Sequence, residues 1–289
     1  IDTAQQASIL INKTLQYENN PAAGGLDRFE RGLVIARYGV PIGNSPHQTK
    51  RWVRRKLLQN GFSQVSEVYQ RDYNNPGITG IQNAINNGLA WVNYRGYGSY
   101  TSWSGPYYGN GDINVLVNDN MFPVITSMVC GGGAFDGNGA DPCFGETWIR
   151  AGTVNTPRGG VAFTGPSELD THTRWNNIID GGWYRGLFDL GMTTAGQCLL
   201  ASKLECASSY PNLWNPNPGG AGSTTSVWFY FHTYNLLGDA ALQVRSRIPQ
   251  ALQAAHDATV APTATHFEVE VTTALDVPVP SATVVITNN

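Results

Sequence analysis

Cys130 opens a run of three glycines, Cys130-Gly131-Gly132-Gly133, at the end of the apolar stretch from Pro123 to Val129. A strand that delivers a thiol into a glycine turn lets backbone amides approach a substrate closely. A cysteine nucleophile with an oxyanion hole needs that arrangement. The amides of Cys130, Gly131 and Gly132 are the candidate donors. The same residues also read as a buried structural cysteine ahead of a flexible turn, because free cysteine is among the most buried side chains. A second glycine turn, Arg95-Gly96-Tyr97-Gly98, leaves the apolar stretch Leu89 to Tyr94 and carries the phenol of Tyr97 next to the small backbone position Gly98. A third run holds Asp136, Asn138 and Asp141. Their oxygens are spaced as for a structural calcium, without the following glutamate of an EF-hand loop, and the run reads first as a turn.

The elements that must position these turns alternate. Ala4 to Glu18 forms an amphipathic helix with Ala7, Leu10, Ile11, Thr14 and Leu15 on one face, stopped by Asn19-Asn20-Pro21. Gly32 to Ala36 is a strand, Trp52 to Asn60 a basic helix closed by Gly61, Phe62 to Tyr69 a strand and Thr79 to Asn87 a helix. Strands at Leu89 to Tyr94, Phe122 to Val129 and Gly160 to Thr164 follow, with a helix at Glu146 to Ala151. Such alternation predicts an α/β fold, a three-layer α/β/α sandwich with a mostly parallel sheet. Ligands in these folds bind beyond the carboxyl ends of the strands, where both glycine turns emerge. Further helix is expected from Leu187 to Leu204, an exposed excursion from Asn212 to Thr225, and closure of the unit between Thr233 and Val244. The α/β domain is expected to span 1–258. Residues 259–289, with strands at His266 to Val271 and Ala282 to Ile286, read as the truncated start of an immunoglobulin-like domain, which needs about seven strands. On this reading the chain is a fragment of a longer polypeptide and lacks the first part of its catalytic region.

Composition narrows the class. With 41% hydrophobic residues, only 13% charged ones and 33 glycines, the surface is built from Asn, Thr, Ser, Gly and aromatic residues, as in a folded extracellular protein. A net charge of -3 gives no basic stripe and argues against a nucleic-acid partner. No apolar run approaches the ~20 residues that span a bilayer. The four cysteines, Cys130, Cys143, Cys198 and Cys206, include no zinc-type pair, so no cofactor is expected beyond the calcium considered above. Cys198 and Cys206 read either as bridged or as two buried thiols.

Several stretches, in order, resemble the gingipain-type cysteine peptidases, whose fold is caspase-like. They are Ile11 to Glu18, Val92-Asn93-Tyr94-Arg95-Gly96-Tyr97-Gly98-Ser99 with Trp103 after it, Val129 to Phe135, Cys143 to Trp148, and Tyr234-Asn235-Leu236-Leu237-Gly238-Asp239. The second is similar to the family's N-Y-x-G-H-G-S turn, and the last to its N-L-L-G-D-P motif with Ala240 in place of proline. The resemblance implies a secreted or cell-surface endopeptidase acting on peptides, with Cys130 as nucleophile and position 97 as general base and acid. Here position 97 is tyrosine. The family's acidic partner follows the strand near Ile35, where this chain reads Ala36-Arg37-Tyr38-Gly39 without a carboxylate. A phenol, with an ordinary pKa of ~10, is neutral at physiological pH and offers no positive charge to a thiolate. Losing acid–base help typically costs ~10²–10⁴ in rate. His172 and His47 are the substitutes considered; His232, His256 and His266 lie in no matching motif. The resemblance therefore implies a degenerate peptidase that binds peptides or scaffolds other domains of the same chain. Two alternatives stay open: an active endopeptidase altered at position 97, and a separate hydrolase chemistry built on Tyr97.

Overall fold

Side chains that alternate along each central strand enter two different cores. In β1 (Arg31–Ala36) Val34 and Ala36 join one cluster, while Leu33 and Ile35 join the other. β3 (Trp91–Arg95) sends Trp91 one way and Val92 and Tyr94 the other, and β6 (Val124–Met128) divides Val124 and Met128 from Ile125 in the same manner. A period of two with both sets apolar is what a sheet covered on both faces requires. The computed structural model describes residues 1–38, 44–71, 75–137, 139–216, 225–261 and 263–286.

The sheet has six strands. With β2 (Gln64–Tyr69), β7 (Ala162–Pro166) and β8 (Tyr234–Leu237), the order is β2-β1-β3-β6-β7-β8, parallel except for the β7–β8 pair. A short hairpin of β4 (Ser102–Trp103) and β5 (Tyr108–Gly109) stands apart from it. One face is covered by α2 (Ser45–Gln59), α6 (Thr173–Asp189), α7 (Ala195–Ser209) and α8 (Val227–Thr233). The other carries α3 (Gly77–Asn86), α4 (Asn110–Asn114) and α5 (Phe144–Arg150). The three-layer α/β/α sandwich with a mostly parallel sheet is therefore present.

Several details differ from the sequence expectation. α2 begins at Ser45, because Pro46 in a first helical turn forfeits no intrahelical hydrogen bond. The single helix expected from Leu187 to Leu204 is two helices, separated by Gly191 at a φ of 67° and restarted by Thr194, whose side chain accepts from the Gln197 amide. α1 (Ala4–Asn19) is rotated from the anticipated face: Ile9, Lys13 and Tyr17 are buried, whereas Ile11 and Leu15 are exposed. Lys13 is tolerated inside because its Nζ donates to the carbonyls of Trp148 (3.2 Å), Ile149 (2.9 Å) and Gly160 (3.4 Å).

Contacts divide the chain into Ile1–Ile248 and Pro249–Asn289, rather than at 258. In the second unit β9 (Leu252–His256) pairs antiparallel with β10 (Val269–Thr273). The expected strand at Ala282 to Ile286 forms no ladder among the described residues; β9 supplies the pairing with β10 instead. Among the described residues no helix is long and apolar enough to cross a membrane.

Candidate active site

The strand order reverses between β1 and β3, since β1 pairs with β2 on one side and β3 on the other. In open α/β sheets the carboxyl ends of strands at such a reversal form the binding crevice. Arg37 follows β1 there, Tyr97 follows β3 and Cys130 follows β6. The parallel register pairs Arg95 with Met128 at the ends of β3 and β6, two residues before Tyr97 and Cys130 respectively. The two turns abut. A Cβ placed on Gly98 would stand 3.0 Å from Val129 Cγ2, and one on Gly131 would stand 3.3 Å from Tyr100 Cδ1.

The Tyr97 turn is pinned from beneath. Its carbonyl accepts from the Tyr94 hydroxyl (2.7 Å) and the Ser104 amide (2.8 Å). Tyr94 stacks on Trp103 at 4.5 Å, and the Trp103 indole donates to Ser127 Oγ (2.8 Å) under the cysteine turn. Gly98 and Trp103 form an antiparallel bridge flanked by the bonds Ser104 N to Tyr97 O and Ser99 N to Ser102 O. In a pair of that type the residue's own N–H points away from its partner strand. The Gly98 amide is thus directed away from Trp103. Above the turn the Arg37 guanidinium lies 4.4 Å from the centroid of the Tyr97 ring and donates to Ser104 O and Oγ, both at 2.8 Å.

Cys130 is partly exposed, and its Sγ lies 3.3 Å from the hydroxyl of Thr171 and 3.8 Å from the Thr171 carbonyl. The following residue, Gly131, has a φ of 69°, a conformation that favours glycine. Its amide donates to the Glu168 carbonyl (2.8 Å). Gly131 is consequently withdrawn from the predicted oxyanion donors, because a backbone N–H serves one strong acceptor at a time. The Gly132 carbonyl accepts from the Gly145 amide (2.7 Å), which ties the turn to the start of α5.

The remaining predicted residues fall in different places. Asn138 lies outside the described residues, and Asp141 ion-pairs with Arg150 at 3.3 Å. Among the described residues no three His, Cys, Asp or Glu side chains gather as metal ligands, Asp136 included. His47 is buried between Tyr69, stacked at 4.9 Å, and Tyr38 at 5.6 Å. His172 follows Thr171 directly, but its Nδ1 caps α6 by accepting from the Arg174 amide (3.4 Å). Cys143, Cys198 and Cys206 are buried free thiols, pushed by burial up to about 11, 12 and 12, so the bridge considered for Cys198 and Cys206 is absent.

Two groups of buried charge lie beneath the crevice. Arg95 is 1% exposed and donates to the carbonyls of Gly96 (3.1 Å), Met128 (3.2 Å) and Thr173 (2.9 Å) and to Asn177 Oδ1 (2.8 Å). Burial pulls its guanidinium below the ordinary value, and the nearby Asp180 and Cys130 oppose that shift. Lys50 of α2 bonds both Asn93 of β3 and Asp180 of α6, with lysine and aspartate fully buried. Sequence reading did not single out Thr171 or Asn176. The available signal was a polar segment at the carboxyl end of β7, the edge where such sheets hold their reactive groups.

Comparisons with known proteins agree with this architecture. Gingipain R2 of Porphyromonas gingivalis is 27% identical over 274 residues, 90% of this chain and 34% of that protein. Gingipain R1 of the same organism is 31% identical over 157 residues, 53% of this chain and 15% of that protein. The crystal structure of the Arg specific cysteine proteinase gingipain R matches with a TM-score of 0.77 at 23% identity, covering 94% of this chain and 60% of that one, a likeness of fold. The chain spans about a third of the length of the first of these relatives. The sequence profile of Peptidase family C25 matches residues 1–245, which takes in every strand of the central sheet, and the chain belongs to that family of peptidases.

Proposed function

We propose that this chain is a degenerate cysteine peptidase domain whose crevice binds peptide segments without turning them over efficiently, in a protein that is secreted or held at the cell surface. Cys130 occupies the nucleophile position. Tyr97 occupies the general-base position, with Gly98 and Gly132 beside it as backbone positions. The supporting observation is the abutment of the two turns that carry positions 97 and 130, with Gly98 against Val129 and Gly131 against Tyr100, at the end of the sheet. A substrate carbonyl seated there would meet the amide of Gly98 and the sulfur of Cys130 together.

Hydrolysis of an amide needs a group that takes the thiol proton and returns it to the departing amine. Tyr97 is a poor group for both steps, because a phenol lacks the second ring nitrogen with which an imidazole takes up one proton while holding another, and it offers the sulfur no positive charge. Arg37 makes the substitution more complete. Where a carboxylate would orient an imidazole and stabilise its cation, a guanidinium faces the ring instead. Peptides binding in the crevice, and further domains of the same polypeptide, are the partners this reading supplies.

A peptidyl chloromethyl ketone tests it. The reading holds if the chain binds the probe's peptide portion competitively but labels Cys130 slowly, and if Tyr97→His combined with Arg37→Asp raises labelling. No peptide competition, in either form, would overturn it.

A further inference from the structure

Thr171 sits between Cys130 and a buried polar chain. The Asn176 amide Nδ2 donates to Thr171 Oγ1 (2.9 Å), and the Tyr234 hydroxyl donates to Asn176 Oδ1 (2.7 Å). Asn176 and Tyr234 are 1% and 0% exposed, so neither exchanges these partners with water. The Thr171 hydroxyl accepts from Asn176 and lies 3.3 Å from Sγ; the thiol can donate to it or to the Thr171 carbonyl at 3.8 Å, whereas an ionised sulfur can only accept, and the hydroxyl still has its one proton to give.

We propose that Thr171 is a positioning residue for Cys130: its hydroxyl, oriented by Asn176 and through it by Tyr234, donates to Sγ and stabilises the sulfur as an anion in the absence of an imidazole. The inference rests on Cys130 being the sulfur of a peptidase-type crevice. It goes further in assigning the donor that keeps that sulfur reactive after histidine has been lost. Hydrogen bonds to an ionised acceptor are about twice as strong as neutral ones, so the contact favours the thiolate over the thiol.

The charged and titratable groups around the sulfur come from several elements. Arg95 of β3, Tyr230 of α8 and Tyr234 of β8 interact with it electrostatically, and Asp170 and His172 flank Thr171 in the chain. Burial raises both Tyr230 and Tyr234, which keeps them neutral through the range in which a thiol ionises. His172 is exposed and needs its own control.

The test is the pH profile of iodoacetamide alkylation on the full chain. The sulfur displaces iodide from the methylene carbon, an S–C bond replaces the C–I bond, and the thiol proton passes to solvent. Cys130 is the partly exposed cysteine and the other three are buried, so the modified residue is assignable by peptide mapping. Thr171→Val should lower the rate near neutral pH by roughly tenfold while leaving the alkaline plateau unchanged, and Thr171→Ser should restore it. Tyr234→Phe removes a single oxygen and should produce a smaller fall of the same kind, which keeps the proposal testable if Thr171→Val does not fold. His172→Gln should leave the profile in place. An unchanged profile in Thr171→Val, an equal loss at every pH, or a shift in His172→Gln alone would overturn the proposal. A Thr171-dependent profile in a chain that shows no preference for peptidyl over plain chloroacetamide probes would support it while defeating the peptide-binding reading.

Discussion

The Arg37 guanidinium stacks over the Tyr97 ring at 4.4 Å, joining the residue after β1 to the glycine turn after β3 across the reversal in strand order. Cation–π contacts of this kind contribute about 0.5–2 kcal/mol according to their exposure. The pair carries no carboxylate and no imidazole. On the proposed reading this couple stands in place of an acid–histidine pair, so reversing one replacement alone leaves a mismatch.

Tyr97→His places an imidazole under the Arg37 cation, which opposes its protonation. The single variant should therefore gain little labelling by a peptidyl probe. Arg37→Asp combined with Tyr97→His should gain at least ~10²-fold, the lower range of general acid–base catalysis. Rates of Cys130 labelling by mass spectrometry compare the two. Equal gains would show that Arg37 is irrelevant to position 97.

The buried Lys50–Asp180 pair links α2, β3 and α6 through Asn93. Removing one partner leaves an uncompensated buried charge, which typically costs ~3–5 kcal/mol. Asp180→Asn should destabilise the domain by that order in urea titration. Lys50→Met with Asp180→Leu should cost distinctly less than either single change, the sign of direct coupling.

Lys13 gives a pH signature. Burial lowers its ammonium from the ordinary lysine value to about 7. The unfolded chain keeps that proton up to ~10.4. Between these limits the unfolded state binds more protons than the native one, so stability rises with pH from about 7 upward. Lys13→Met should flatten that rise in melts recorded across the range. It should also leave three backbone carbonyls without their donor, at ~1–3 kcal/mol for an unsatisfied buried group.

Gly131→Ala tests the cysteine turn. Its φ of 69° is strained for alanine, and the added Cβ would meet Leu169 Cδ2 at 2.6 Å. A loss of about 1–2 kcal/mol is expected from the backbone alone. Displacing the turn should also break the Gly131–Glu168 bond and slow alkylation of Cys130, read in the same assay used for Thr171.

Legibility followed locality. The strands were readable because apolar runs bounded by glycine need no knowledge of their neighbours, and Cys130 and Tyr97 stood out because each sits in such a boundary. α1 was placed on the wrong face, since periodicity counts Lys13 as polar whereas three carbonyls from residues far along the chain make it a core residue. Thr171 was missed for the same reason: its contact with Cys130 joins residues 41 apart.

Composition and local pattern alone determined that this chain folds as alternating strands and helices with two glycine turns at the strand ends, a thiol in one and a phenol in the other. Only the tertiary structure decided which groups meet there. It set Arg37 on Tyr97, gave the Gly131 amide to Glu168 and brought Thr171 to the sulfur. Those encounters depend on strand order and on crossovers that return distant segments to one edge, and no local stretch of residues encodes them.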